Sequence, residues 1–193
     1  MFNVQTPTYA DLVRPAGRQA ALAYDVALVL GGSLLTALAA QIGIRLPFSP
    51  VPITGQTLAV LLVGALLGSR RGALSMLTYL LQGLLGLPVF ANGMSGLAYA
   101  LGPTGGYLVG FVGAAWLTGR LAERGWDRCV WSTILAMVAG NIVLYILGLA
   151  WLSRFVGARA FALGLFPFLI GDALKIVLAA AALPTGWKML GRK

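Results

Sequence analysis

The sequence predicts an all-α, polytopic membrane protein: a bundle of six transmembrane helices with two Gly/Pro-rich loops closing its outer end. Three observations predict it. Hydrophobic residues make up 59% of the 193 residues and charged residues only 10%, whereas a soluble domain carries about 25% charged residues. Mean hydropathy is +0.88, so most of the surface must face lipid. The charges also punctuate long apolar runs instead of alternating along them, which excludes barrel strands and leaves helices.

Charge-free windows locate the helices. Residues 26–44, 46–69, 72–119 and 129–153 carry no charge, and 160–187 carries only Asp172 and Lys175. A span needs roughly 20 apolar residues, so the 48-residue window 72–119 holds two. The predicted spans are 21–44, 54–69, 72–87, 105–122, 129–151 and 163–186 in one integral membrane domain, 1–193. The polar segment 1–20, with Pro7 and Pro15, has no apolar run of its own and does not read as a cleavable signal.

Orientation follows from Lys and Arg. With the N-terminus inside, the inner segments hold ten: Arg14, Arg18, Arg70, Arg71, Arg120, Arg124, Arg128, Lys188, Arg192 and Lys193. The outer segments hold three, Arg45, Arg154 and Arg159. This bias predicts a multi-pass membrane protein with both termini cytoplasmic. The net charge of +9 is therefore topology signal, without the basic, aromatic face of a nucleic-acid binder. There is no His, and Cys129 is the only cysteine, which argues against a metal site or an internal disulfide. No nucleotide-binding signature or nucleophile–base pair occurs.

Two outer loops are unusually apolar. Residues 46–56 read LPFSPVPITGQ, and 86–106 read GLPVFANGMSGLAYALGPTGG. Proline and glycine preclude long helices there, and irregular backbone at membrane depth is stable only when buried or lining a cavity. Both loops are expected to act as lids over an outward-facing pocket.

Asp172 and Lys175, at i and i+3, share a helix face. Charges inside a span are costly and mark function or mutual pairing. Beside Pro167 and Gly171 they fall near the outer start of the last helix, on the side of the lids. Gln56 reaches the same region with an amide that donates and accepts. Asn92 either reaches it or serves its own turn. Tyr24, Tyr79, Tyr99, Tyr107 and Tyr145 are candidate pocket walls. Asn141 is expected to make a helix–helix hydrogen bond, and Asp25 to complement the first helix's N-terminal dipole. The small-residue pairs Ala23/Ala27, Ala27/Gly31, Gly64/Gly68 and Gly106/Gly110 permit close helix contact.

The runs VPITGQTLAVLLVGALLGSRRGALS, GLPVF, GPTGGYLVG and FPFLIGDALK, in this order between Pro50 and Ala180, resemble the biotin-transporter BioY family, the substrate-binding S components of energy-coupling factor (ECF) transporters. The resemblance implies a six-helix bundle that holds biotin under its outer loops, with Asp172, Lys175, Gln56, Asn92 and Tyr107 as substrate-binding residues. It implies a bacterial plasma (inner) membrane location, no cofactor and no enzymatic reaction. The implied partners are a transmembrane coupling protein and two ATPase subunits, with function in their absence, as an oligomer, as the second mode. Two positions depart from the pattern: Met94, where some members carry Asn, and Leu108, where some carry Arg. An S component for another vitamin, a lipid-modifying membrane enzyme and a substrate-free scaffold are the alternatives.

Overall fold

The computed structural model describes residues 6–191; Arg192 and Lys193, counted above as inner charges, lie outside the described residues. The chain forms α1 (Arg18–Gln41), α2 (Gln56–Leu67), α3 (Ser69–Leu84), α4 (Gly96–Ala100), α5 (Gly105–Ala122), α6 (Val130–Val156), α7 (Ala160–Gly164) and α8 (Phe166–Met189). Among the described residues three helical stretches are long and apolar enough to cross a membrane: Arg18–Gln41, Val130–Gly164 and Phe166–Met189.

The surface is inverted relative to a soluble protein. Leu34, Leu38, Ile146, Ile170 and Leu174 are exposed, whereas Ser33, Thr36, Thr118 and Thr133 are buried. Apolar area of this extent needs a hydrocarbon environment. α5 packs against α2, α3 and α6 and forms the centre of the bundle. Small residues make that possible: a Cβ on Gly64 of α2 would lie 2.4 Å from the Ala115 carbonyl of α5, and one on Gly106 of α5 would lie 2.2 Å from Trp151 Cβ of α6. Ala23, Ala27 and Gly31, by contrast, face outward, and a Cβ on Gly31 would meet nothing within 4 Å.

Several boundaries differ from the charge-free windows. α1 ends at Gln41, short of the predicted span 21–44, because Gly43–Ile44 (β1) pairs antiparallel with Ile53–Thr54 (β2) of the 46–56 loop, a loop expected to be irregular. α3 starts at Ser69, after Gly68 at φ 87°, so Arg70 and Arg71 lie inside its first turn. Their long stems let the charged heads leave the apolar layer. α8 starts at Phe166, after the non-helical Leu165, and runs through Pro184 to Met189. The 86–106 loop holds a 3-10 turn, Ala91–Gly93, and the five-residue α4.

Asp25 sits well past the first turn of α1, where the helix dipole has faded. It pairs with Arg14 (2.7 Å) and approaches Arg71 Nε (2.8 Å) off the line of a hydrogen bond. The dipole expectation is thus replaced by ion pairing. Asn141 Oδ1 is buried without a hydrogen-bond partner, and the expected helix–helix bond is not formed among the described residues.

Candidate functional site

Helix α8 places Asp172 and Lys175 one turn apart, as their i, i+3 spacing requires. Lys175 Nζ donates to the Thr54 carbonyl (2.9 Å), Thr57 Oγ1 (2.7 Å) and Asp172 Oδ1 (3.1 Å). An ammonium has three N–H groups, and here each has an acceptor. Thr57 Oγ1, in turn, donates to Asp172 Oδ1 at 3.1 Å, and the Tyr145 hydroxyl donates to Asp172 Oδ2. Asp172 and Lys175 are largely withdrawn from solvent, with side-chain exposures of 5% and 17%. An isolated charge there would be costly, and the pairing with three neutral hydrogen-bond partners offsets that cost.

The network forms one wall of a cavity of about 50 Å³. Lys175 faces it, and Asp172 stands behind Lys175. The 46–56 loop contributes Val51 and Pro52, and the start of α2 contributes Gln56 and Thr57. Tyr99 of α4 and Phe168 of α8 close it from two other sides. Tyr107, Leu108 and Phe111 of α5 with Leu144 and Tyr145 of α6 complete a mainly apolar lining. A space of this size holds a few waters.

The sequence-predicted residues divide into three groups. Lys175, Gln56 and Tyr107 line the cavity, and Asp172 stands behind them, bonded to Lys175. Gln56 is buried, donates through Nε2 to Tyr79 OH (2.7 Å) and accepts from Thr54 Oγ1 (3.0 Å); the Tyr107 hydroxyl donates to the Gly164 carbonyl at 2.7 Å. Asn92 is not brought to the lining, although its neighbour Ala91 is. Its backbone is left-handed (φ 57°, ψ 35°), a conformation Asn tolerates better than most residues, so the local turn accounts for it.

Among the tyrosines, Tyr99, Tyr107 and Tyr145 line the cavity. Tyr79 supports Gln56 from behind, and Tyr24 bonds the Ala10 carbonyl far from it. Of the two departures, Leu108 lines the cavity, whereas Met94 is 44% exposed and does not. Sequence reasoning missed Thr54, Thr57, Phe111 and Phe168. Thr54 and Thr57 carried a signal: hydroxyls three residues apart in an otherwise apolar run, flanking Gln56.

The description "BioY family" fits residues 12–192 of this sequence. The chain belongs to the BioY family. A probable biotin transporter BioY of Pyrococcus horikoshii is 42% identical over 158 residues, covering 81% of this chain and 92% of that protein. The biotin transporter BioY of Rhizobium etli is 40% identical over 165 residues, covering 80% and 88%. A crystal structure at 2.1 Å of the S component for biotin from an ECF-type ABC transporter superposes with a TM-score of 0.76 at 25% identity. That superposition covers 90% of this BioY chain and 95% of the other.

Proposed function

We propose that this chain is the biotin-binding S component of an ECF transporter, taking biotin from the outer side of the membrane and delivering it inside. The observation that carries the reading is the Lys175–Thr57–Asp172–Tyr145 network against a small, mainly apolar cavity under two loops. Biotin has a carboxylate, a ureido group with two N–H donors and a carbonyl, and an apolar thiophane ring. A lysine, an aspartate with neighbouring hydroxyls, and rings such as Tyr107 and Phe111 match those three parts. Gln56 adds an amide to the polar side, and Asn92 acts through the shape of its loop.

Because all three Lys175 N–H groups are occupied, a ligand carboxylate must replace one acceptor. The Thr54 carbonyl is the natural one to yield, since it is part of the first outer loop and carries no charge. Binding therefore moves that loop, and the 50 Å³ cavity widens to admit a bicyclic ligand. In this reading both loops are lids, and α1, α2, α3, α5, α6 and α8 make six crossings, the shorter ones buried by their neighbours. Both termini face the cytoplasm, in keeping with the distribution of Arg and Lys. The protein binds and transfers its ligand without altering it. A transmembrane coupling protein and ATPase subunits supply the energy, and a homo-oligomer is the alternative assembly.

Equilibrium binding of biotin to the detergent-purified chain, with thiamine and riboflavin as controls, tests this. Saturable binding of biotin alone is the expected result; a folded, helical protein that binds none of the three, or binds a control instead, overturns it.

A further inference from the structure

The end of the bundle opposite the cavity carries a second feature. There the N-termini of α1 and α3 and the C-terminus of α5 gather around a groove of about 1,230 Å³. One wall is aliphatic: Leu22, Val26 and Leu30 of α1 and Leu74 of α3 line it, and all four are at least 49% exposed. Trp116 of α5 follows, 50% exposed, one helical turn before Arg120. At the mouth stand Arg14, Arg70, Arg71 and Arg120 with the carboxylates of Asp11, Asp25 and Glu123.

The ion pairs leave one charge over. Asp11 takes Arg71 at 2.8 Å, Asp25 takes Arg14 at 2.7 Å, and Glu123 takes Arg120 at 3.0 Å. Arg70 is exposed and has no carboxylate within ion-pair distance among the described residues. Four arginines against three carboxylates make the mouth net positive, and Arg70 is the cation available to an outside anion. On α3 and α5 the lining passes from guanidinium at the mouth to hydrocarbon and indole further in, and on α1 Val26 and Leu30 continue it past Asp25. Thr78, the deepest lining residue of α3, lies seven residues past Arg71, about 10 Å further into the bilayer at 1.5 Å per residue.

That order is the profile of a phospholipid, and Trp beside Arg is what a membrane–water interface selects. A soluble anion would leave the aliphatic wall uncovered, and a zwitterionic headgroup would leave Arg70 without a net charge to complement. We propose that this groove is a binding site for an anionic phospholipid, its phosphate on Arg70 at the mouth and an acyl chain along Leu22, Val26, Leu30 and Leu74.

The test is native mass spectrometry of the purified full chain equilibrated with equal amounts of phosphatidylglycerol and phosphatidylcholine. Wild type is expected to retain phosphatidylglycerol preferentially, and Arg70→Gln to weaken that retention about fivefold, the worth of one basic residue at a charged membrane surface. Lys188→Gln, which removes an exposed charge at the same end but away from the groove, is expected to leave the preference intact. Circular dichroism establishes that both variants are folded. Equal retention of the two lipids, an equal effect of both variants, or displacement by soluble glycerol phosphate at matched concentration overturns the proposal. So does loss of co-purifying transporter subunits on Arg70→Gln with lipid retention unchanged, since the groove then belongs to a protein partner.

Discussion

The two ends of the bundle use the same ion-pair chemistry under opposite conditions. At the cavity end one pair, Asp172 and Lys175, is almost fully withdrawn from solvent and tied into a network with Thr54, Thr57 and Tyr145. At the other end Arg14, Asp25, Arg71, Asp11, Arg120 and Glu123 form a string of pairs that water reaches, with side-chain exposures up to 45%. Coulomb attraction is several times stronger in the drier site, and so is the desolvation each ion has to overcome. The comparison teaches that burial, and not the presence of a salt bridge, decides where a substitution is costly and where a ligand can compete for a charge.

The largest effect is expected at Lys175. Lys175→Met leaves Asp172 buried without its counter-ion, and breaking one partner of a buried pair costs about 3–5 kcal/mol. Thermal unfolding in detergent should show a large loss of stability together with loss of biotin binding. Adding Asp172→Asn removes the orphaned charge, so the double variant should regain much of the stability and still not bind. A double variant that binds like wild type would remove the pair from the site.

Thr57→Val comes next. It keeps the side-chain shape while deleting the hydroxyl between Lys175 and Asp172. A hydrogen bond to a charged group is worth about 1.5–3 kcal/mol, or roughly ten- to hundredfold in affinity. Isothermal titration with biotin reads this directly, and unchanged affinity would mean that the network serves folding alone.

At the opposite end two carboxylates outside the spans should respond to pH with opposite sign. Burial would raise Asp11, but hydrogen bonds from Arg71 and Thr8 outweigh it and hold the carboxyl below its ordinary value. Its stabilisation is present above the unfolded pKa and is lost as pH falls through the folded one. Asp127 is buried and raised: burial dominates, opposed by the Trp187 N–H at 2.5 Å, and Oδ1 has no hydrogen-bond partner. Its contribution is most favourable below the unfolded pKa and is lost as pH rises through the folded one. Asp127→Asn keeps an acceptor for Trp187, so its stability relative to wild type should improve as pH rises above about 4. Melting curves from pH 4 to 7 check this, and a constant difference would contradict the assignment.

The smallest effect is expected at Asn92. It belongs to the cavity end but stands off the lining, so Asn92→Ala should change biotin affinity by less than about threefold, under 1 kcal/mol. Measured loss beyond tenfold would place its amide in contact with the ligand.

The helices and the charged pair were legible in the sequence because each rests on local information. Apolar runs gave α1, α6 and α8 to within a few residues, and i, i+3 spacing placed Asp172 and Lys175 on one face. Boundaries were displaced where a local rule met a competing one. Excluding Arg70 and Arg71 moved the start of α3 inward, although a helix tolerates arginines in its first turn. The pairing of β1 with β2 ended α1 early. Asp25 was misread because Arg14, 11 residues away, and Arg71, 46 residues away, decide its role.

By itself the sequence determined the solvent, the helical class and the family, since composition, periodicity and ordered motifs are properties of the chain read in one dimension. Only the tertiary structure decided which groups meet. Lys175 finds its acceptors at Thr54 and Thr57, 121 and 118 residues away, because α8 packs on the start of α2. Asn92 is turned aside by its own backbone, and Tyr24 and Tyr145, alike as residues, end at opposite ends of the bundle. Such encounters depend on how helices cross, and crossing is set by small residues such as Gly64 and Gly106. Their i, i+4 pairing with Gly68 and Gly110 signals a close contact without naming the partner helix, and the same spacing at Ala23 and Ala27 faces outward.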